Sequence, residues 1–395
     1  MRILIPASEF PPFPGGVSAV AFEQAEGLAR LGHVVRVETL DFSRFGPPVG
    51  AQGCEVIRRP IRARAIVRLL PLFAALRQSA AEFRPDILHC PQYRGFGLPT
   101  AVVARLRHVP YTLFVHGTDV RTEISHLARR TIVRYVLAHA SGIATNSHNT
   151  ARLLRDLFPD ISTPVEPIHP GVHVERFRGA AAEEAGRALR RRWLQEFAQR
   201  GAITDEAEPI IGLAMCRMSK QKGLDVLIEA LRLLSDQGHA PHLLLVLAGT
   251  GPDIDEFRTL ASSSGVANRI LFTGPVAYTE TPAYYLASDL YVQPSRPLGD
   301  VVESFGISFL EAQASGLPCI GPNCGGVPEA VRDGQTAMLV PPADPGAVAA
   351  ALHQLASNAP MRRAMGDAGR QHAANMTWAA HCQKISSMLL EAVSR

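Results

Sequence analysis

Long apolar runs and clustered cysteines are both missing from this sequence of 395 residues. The longest clean apolar run, LLLVLAG at 243–249, is far shorter than the roughly 20 residues that a membrane-spanning helix needs. The six cysteines are scattered, which argues against disulfides and favours a reducing, cytoplasmic compartment. No histidine or cysteine cluster completes a zinc site around Cys319 and Cys324. The start, MRILIPASEF, turns polar too soon for a signal peptide, so we expect a first strand there.

Lysine is nearly absent, because arginine supplies 37 of the 40 basic residues. Two of the three lysines, Lys220 and Lys222, nevertheless stand within three positions of each other. Residues 1–170 hold 20 Arg and no Lys against 13 acidic residues, whereas 171–395 carry a slight acidic excess. A basic first half suits an anionic partner or a membrane surface. The basic residues lack aromatic interleaving and match no known module, which disfavours a nucleic-acid partner.

Short apolar runs alternate with longer helical patterns in both halves, as in βαβ units with parallel sheets. The predicted fold class is α/β, with two doubly wound Rossmann-like domains facing across a cleft. We expect domains at 1–175 and 210–375, a helical linker at 176–209, and a C-terminal helix at 376–395 that packs back on the first domain. The predicted strands are 2–6, 34–39, 87–89, 111–115, 142–145, 210–214, 243–248, 270–273, 290–293 and 318–320.

Two glutamates eight positions apart mark the stretch PSRPLGDVVESFGISFLEAQASGLPCIGPNCGGVPE at 294–329. A helix is predicted to begin between Phe305 and Ile307, with Glu303 just before it and Glu311 inside it. On a continuous helix the two would lie about 80° apart, so both can face one ligand at the helix N-terminus. Unpaired N–H groups there suit a phosphate. An acidic first turn is the alternative for Glu303, but an unpaired Glu311 carboxylate among apolar neighbours would be costly.

Two further motifs follow predicted strands of the first half. The loop PPFPGGVSAV offers Gly15 and Gly16 for close approach of an anion, with Ser18 near the helix start. A tight structural turn explains the same glycines. FVHGTDV places His116 and Asp119 at the carboxyl end of a strand, where open α/β sheets bind ligands. A lone histidine there is more often structural.

The sequence DID at 253–255 is similar to the Asp-x-Asp pair of metal-dependent sugar transferases. It lies at the start of a predicted helix, where aspartates commonly cap the chain and face the helix dipole. We therefore expect helix capping here and no metal.

Together these motifs resemble the retaining glycosyltransferases of family 4, the glycosyl transferases group 1, which have the two-domain GT-B fold. The resemblance covers nearly the whole chain and is strongest from 210 to 340. It implies that the first domain binds an acceptor and the second a nucleotide sugar. In that family a stretch like CRMSKQKGLDVLIEAL supplies an arginine and a lysine that clamp the donor diphosphate. Arg217 and Lys222 match these two positions.

The resemblance also implies roles for the remaining motifs. Glu303 would contact the transferred sugar and Glu311 the ribose hydroxyls, while His116 would lie near the reacting carbon. The implied catalytic residues are His116, Arg217, Lys222 and Glu303. The implied donor-binding residues are Gly15, Gly16, Arg217, Lys222, Val276, Glu303, Ser304, Phe305, Gly306, Ile307 and Glu311. The expected acceptor contacts are His116 and Asp119.

Four positions depart from the family pattern. Cys216 stands where glycine is usual, Lys220 and Gln221 replace a common Pro-Glu pair, and His173 replaces an aspartate. The diphosphate clamp remains intact. We expect metal-independent, cofactor-free, retaining transfer of a hexose or N-acetylhexosamine to a hydroxyl acceptor, in polysaccharide, glycolipid or small-molecule glycoside biosynthesis. A UDP-sugar is the first expectation for the donor and GDP-mannose the second.

The arginine-rich segment 58–83 carries an apolar helical stripe. One interpretation is a peripheral contact with anionic lipid at the inner face of a membrane, close to a lipid-linked acceptor. The other is an ordinary packed helix with solvated arginines. Alternative functions for the whole chain are a GT-B-like sugar-nucleotide epimerase or phosphorylase, or a catalytically decayed protein that binds nucleotide sugars.

Overall fold

A computed structural model describes residues 1–60, 69–121, 127–203, 208–299 and 301–395. The chain divides into two compact units, one formed by Met1–Gly171 with Trp378–Arg395 and the other by Val172–Thr377. Each unit is a parallel α/β sheet with helices, so the predicted fold class is confirmed. The predicted linker segment, 176–209, lies within the second unit.

The first unit has a seven-stranded sheet in the order β3-β2-β1-β4-β5-β6-β7, with all neighbours parallel. Its strands are β1 (Arg2–Ala7), β2 (Val34–Leu40), β3 (Cys54–Arg59), β4 (Ile87–Cys90), β5 (Tyr111–Val115), β6 (Gly142–Thr145) and β7 (Val165–Pro167). Its helices are α1 (Gly16–Arg30), α2 (Leu69–Phe83), α3 (Gly97–Arg107), α4 (Thr118–Arg121), α5 (Leu127–Ala138), α6 (His148–Leu157) and α15 (Trp378–Ser394).

The second unit has a six-stranded parallel sheet in the order β10-β9-β8-β11-β12-β13. Its strands are β8 (Ile210–Met215), β9 (Leu243–Ala248), β10 (Ile270–Gly274), β11 (Leu290–Val292), β12 (Cys319–Pro322) and β13 (Ala337–Val340). Its helices are α7 (Ala180–Gln199), α8 (Leu224–Asp236), α9 (Ile254–Ser263), α10 (Thr281–Leu286), α11 (Ile307–Ala314), α12 (Val327–Ala330), α13 (Pro345–Ser357) and α14 (Ala359–Ala374).

The strands that sequence patterns miss lie at the sheet edges. β3 and β7 are the two edges of the first sheet, and β13 is one edge of the second. An edge strand pairs on one side only, so it does not need the continuous apolar run of a central parallel strand. β9, with the sequence LLLVLA, is buried at every position, whereas β3, with CEVIRR, is buried at none.

The strand order of the second sheet reverses between β8 and β11. In open α/β sheets, ligands bind beyond the carboxyl ends of the strands at such a switch point. The chain that leaves β8 carries Arg217 and Lys222, and the chain that leaves β11 carries Glu303. The topology therefore places these three residues of the sequence prediction on adjacent loops.

The apolar stripe of α2 faces the interior of the first unit. Leu72, Leu76, Ala80 and Phe83 are buried in its core, which favours the packed-helix interpretation for this part of 58–83. Three arginines of the segment, Arg62, Arg64 and Arg68, lie outside the described residues. Among the described helices, none is both long and apolar enough to cross a bilayer.

A buried chain of hydrogen bonds ties α15 to the first sheet. His381 Nδ1 lies 2.8 Å from the carbonyl oxygen of His169, which can only accept, so Nδ1 carries the proton. His381 Nε2 then accepts from the Gln24 amide nitrogen at 3.1 Å. The Gln24 oxygen accepts from His89 Nε2 at 3.1 Å, and His89 Nδ1 accepts from the Thr112 hydroxyl at 2.8 Å. Both imidazoles are therefore neutral, each with one defined tautomer.

Burial and the nearby His381 lower the pKa of His89 to about 3, and burial lowers the pKa of His381 to about 4. Both values lie below the unfolded value of about 6.5, so the unfolded chain binds more protons between these limits. The contribution of the two neutral imidazoles to the free energy of unfolding is fully present above about pH 6.5 and is lost as the pH falls toward 4. We expect the free energy of unfolding to drop by about 2 kcal/mol per histidine between pH 7 and pH 5.

Urea unfolding at the two pH values measures this drop. Nitrogen-15 chemical shifts of the imidazoles should show the Nε2-H tautomer for His89 and the Nδ1-H tautomer for His381 at both pH values. Exposed His139 provides the control resonance. Titration of either buried ring near pH 6.5 in the folded protein would contradict the assignment.

Candidate active site

Arg217 lies in the loop after β8, and two glycines of the β9–α9 loop hold that loop in place. Cys216 N donates to Ala248 O at 3.1 Å, and Met218 N donates to Thr250 O at 3.0 Å. A Cβ at Gly249 would overlap the Cys216 carbonyl, and one at Gly251 would overlap Met218. Close backbone approach therefore requires glycine at both positions.

The Arg217 side chain is exposed. It makes no hydrogen bond or ion pair with any residue in the described ranges. Its guanidinium carries five donors in a planar fork, a geometry that suits a phosphate. The fixed backbone and the unpaired side chain together leave Arg217 available to an anion.

The two aspartates of DID have separate structural partners. Asp253 Oδ2 accepts from Lys220 N at 2.8 Å, while its side chain makes no capping bond to α9. Asp253 occupies the N-cap position of α9, as predicted, but its carboxylate fixes the neighbouring lysine loop instead of bonding to the helix. Asp255 is exposed and lies 3.5 Å from Arg258.

Lys222 and Glu303 form an ion pair at the switch point. Lys222 Nζ donates to Glu303 Oε2, and the two side chains are 20% and 14% exposed. The same oxygen lies 3.2 Å from Gln293 Nε2 and 3.4 Å from Ser295 Oγ. Burial alone would lower the pKa of Lys222, but the Glu303 carboxylate outweighs it and raises the pKa above its ordinary value. Lys222 is consequently cationic at neutral pH.

The loop from Glu303 to Gly306 is shaped by a glycine pair that the sequence analysis assigned no role. Gly326 N donates to Glu303 O at 2.9 Å. A Cβ at Gly325 would overlap Glu303 O, and one at Gly326 would overlap Ser304 O. Gly306 adopts φ +93°, which favours glycine, and caps α11. The helix begins at Ile307, as predicted.

The N-terminus of α11 has the features of an anion site. The first N–H groups of a helix have no acceptor within it, and the helix dipole adds partial positive charge. Buried Phe305, 2% exposed, packs in the core and anchors the entrance of this helix. Such an arrangement can receive a phosphate group.

Glu311 receives a hydrogen bond from a residue that sequence reasoning missed. Tyr285 is fully buried in α10, and its hydroxyl donates to Glu311 Oε2 at 2.9 Å. Burial raises the pKa of Glu311, which the Tyr285 hydrogen bond and the Arg176 charge partly offset. Tyr285 has no spacing signal, because it comes from a helix 26 residues upstream. Val276, the predicted base contact, follows β10 and packs beside the core of this unit.

The other predicted residues lie in the first unit. Gly15 has φ +128° and caps α1, which begins at exposed Gly16. Ser18 is buried, and its hydroxyl finds no partner among the described residues.

His116 follows β5 and is buried. Its Nε2 donates to Pro91 O at 2.9 Å, and burial lowers its pKa, with Asp119 opposing. Asp119 accepts from the backbone N–H groups of Tyr93, His116 and Val120 at 3.0–3.1 Å. The Asp119 carboxylate thus orders the loop that carries His116.

Two family models match this chain. The model "Glycosyl transferases group 1" matches residues 196–372, and "Glycosyl transferase 4-like domain" matches 15–171. The chain belongs to the glycosyl transferases group 1 family. It is a glycosyltransferase of the GT-B type, as the motifs predicted.

Similar proteins span the whole chain. A GDP-mannose-dependent alpha-(1-6)-phosphatidylinositol monomannoside mannosyltransferase from Mycobacterium tuberculosis is 29% identical over 404 residues, covering 98% of each chain. The enzyme of that name from Mycolicibacterium smegmatis is 31% identical over 277 residues, covering 69% of this chain and 68% of that enzyme. A D-inositol 3-phosphate glycosyltransferase from Corynebacterium diphtheriae is 32% identical, covering 72% of this chain and 64% of that enzyme.

The fold is shared with solved structures. Anabaena Alr3699/HepE in complex with UDP superposes with a TM-score of 0.75 at 19% identity, covering 98% of this chain and 99% of that one. At this sequence identity, the similarity shows a shared fold alone.

The two neighbouring lysines should differ in their effect on activity. Lys222 is partly buried against Glu303, whereas Lys220 pairs at 2.9 Å with Glu256 on the surface. We expect Lys222→Ala to lower kcat/KM for transfer at least 100-fold, because a phosphate-neutralising charge is lost. Lys220→Ala should stay within about threefold, since exposed ion pairs contribute little.

Steady-state kinetics with one donor and acceptor pair measure both variants. Circular dichroism melting of each protein checks that it is folded. Equal losses in the two variants, or none in folded Lys222→Ala, would contradict the clamp.

Proposed function

We propose that this glycosyltransferase transfers a hexose, with retention of anomeric configuration and without a metal, from a nucleotide diphosphate sugar to a hydroxyl acceptor. One observation carries the proposal: the Lys222–Glu303 pair lies at the switch point of the second sheet, and Lys222 shares its loop with Arg217, which has no partner among the described residues. A cation beside a carboxylate can bind a nucleotide sugar, since the cation can bind the diphosphate and the carboxylate can accept hydrogen bonds from the neighbouring sugar hydroxyls.

The positively charged side chains of the proposed site support metal independence. Breaking the sugar–phosphate bond places negative charge on the leaving diphosphate. Arg217, Lys222 and the N–H groups at the start of α11 can stabilise that charge, the task that divalent ions perform in other transferases. The separate partners of Asp253 and Asp255 fit the same proposal.

The transfer step that we propose proceeds on one face of the sugar. The bond from the anomeric carbon to the phosphate oxygen breaks, and its electron pair stays on that oxygen. The acceptor hydroxyl oxygen forms the new bond on the same face, and its proton passes to the leaving phosphate. Glu303 would orient the sugar hydroxyls, Glu311 the ribose, and His116 the group near the reacting carbon.

The relatives favour GDP-mannose over a UDP-sugar, which reverses the order expected from the sequence. The mannosyltransferases named above are GDP-mannose-dependent, and their names specify phosphatidylinositol monomannoside. The corynebacterial relative is named for inositol 3-phosphate. We therefore propose an acceptor that combines an inositol-type polyol with a phosphate, which the arginine-rich first half suits.

Transfer assays test this proposal directly. Radiolabelled GDP-mannose, UDP-glucose and UDP-N-acetylglucosamine should each be offered with phosphatidylinositol vesicles or with inositol 3-phosphate. We expect a mannosylated product from GDP-mannose, with the donor's anomeric configuration by NMR. Glycolipid product with vesicles alone would support lipid contact. Isomerised donor, phosphorolysis without acceptor, or no turnover at all would contradict the proposal and indicate an epimerase, a phosphorylase or a decayed binder, respectively.

Metal removal is the second test. We expect full activity in excess EDTA, because the proposed charge stabilisation comes from side chains and helix N–H groups. Asp255→Asn is the matched variant and should keep activity within about twofold. Loss of activity in EDTA that Mg²⁺ or Mn²⁺ restores would refute metal independence.

A further inference from the structure

Arg296 connects the two loops that carry the proposed donor-binding residues. Its backbone N donates to Gln221 O at 2.8 Å, and its Nη2 donates to Asp225 Oδ2 at 2.6 Å. The Arg296 and Asp225 side chains are 22% and 28% exposed. One residue therefore makes two contacts from the loop after β11 to the loop and first turn after β8.

These contacts flank the Lys222–Glu303 pair along both segments. Asp225 lies three residues after Lys222, and Arg296 lies seven residues before Glu303. Gly223 lies between Lys222 and Asp225 and has φ +70°. It approaches Pro294 so closely that a Cβ would overlap the Pro294 carbonyl. The β8–α8 and β11–α11 segments are thus in contact along their length.

The loops need such a connection because the sheet does not extend to them. Ladder hydrogen bonds fix β8 against β11 only as far as Leu213 and Tyr291. None of the described residues between Val292 and Glu303 belongs to a helix or a named strand. A misplacement of about 1 Å at a reacting group can lower a rate about 100-fold. The spacing of Lys222 and Glu303 therefore depends on contacts between the loops themselves.

We infer that Arg296 and Asp225 are positioning residues for nucleotide-sugar binding, acting through Lys222 and Glu303. This inference rests on the proposed function. The pair has no net charge, so it fixes the loops without competing with Arg217 for the diphosphate. Asp225 also faces the dipole of α8 from its first turn, so Arg296 provides the cleaner test.

A second ion pair in the same unit offers a matched control. Arg190 and Asp289 lie 2.8 Å apart with side chains 23% and 25% exposed, close to the values of Arg296 and Asp225. Arg190 also donates to Ala287 O and Pro209 O, so its loss should destabilise the fold at least as much. It joins α7 to the amino-terminal side of the sheet, away from the strand ends that carry the site.

The experiment compares Arg296→Ala, Arg296→Lys and Arg190→Ala. We expect Arg296→Ala to raise the donor KM about tenfold and to lower kcat at least threefold, since both Lys222 and Glu303 lose their fixed spacing. Arg296→Lys keeps a cation for Asp225 and should recover most of both values. Arg190→Ala should lower the melting temperature at least as much as Arg296→Ala, with kcat and KM within twofold of the wild type.

Calorimetric titration with GDP and UDP separates this inference from the proposed function. Wild-type protein that binds neither nucleotide would overturn the proposed donor site. Wild-type protein that binds, with Arg296→Ala and Arg190→Ala equal in affinity and kinetics, would overturn the positioning role alone. Loss in Arg296→Ala without any recovery in Arg296→Lys would also overturn it.

Discussion

The ion pair between Lys222 and Glu303 is the interaction around which the second unit arranges its proposed site. Each side chain is at least about four-fifths buried, so neither charge would be stable there without the other. Gln293 and Ser295 add polar contacts to the same carboxylate oxygen. The Glu303 carboxylate supplies the negative charge that raises the pKa of Lys222 and keeps this lysine cationic at neutral pH.

Glycine makes this arrangement possible at close range. Gly249 and Gly251 let the β9–α9 loop support Arg217, while Gly325 and Gly326 let the β12–α12 loop support Glu303. At each of these positions a Cβ would overlap backbone atoms of the neighbouring loop. The first unit uses polar side chains instead: Asp119 orders the loop that carries His116, and the neutral His89–Gln24–His381 chain joins β4, α1 and α15. In both units rigid backbone positions the chemical groups, as electrostatic catalysis without reorganisation requires.

Sequence patterns predicted the central strands because parallel strands buried on both faces need apolar residues at nearly every position. β9 meets that condition and β3 does not. The start of α11 was predictable from glycine and the change in periodicity. The bond from Tyr285 to Glu311 was not, since no local rule links an aromatic residue in one helix to a carboxylate in another. Asp253 takes the predicted N-cap position of α9, but the partner of its carboxylate, the Lys220 N–H, was not predictable for the same reason, because it lies 33 residues away.

Residue chemistry and order along the chain by themselves predicted the α/β fold and, through resemblance to a known family, a glycosyltransferase. The clamp of Arg217 and Lys222 and the two glutamates stay predictions from the same motifs. Those features depend on periodicity and motif spacing, which are local. Only the tertiary structure decided which of two nearly adjacent lysines meets a buried carboxylate. Lys222 lies at the switch point against Glu303, whereas Lys220 turns to Glu256 at the surface. Lys222 and Glu303 lie 81 positions apart and come together only when β8 and β11 pair, because strand pairing sets which loops are neighbours.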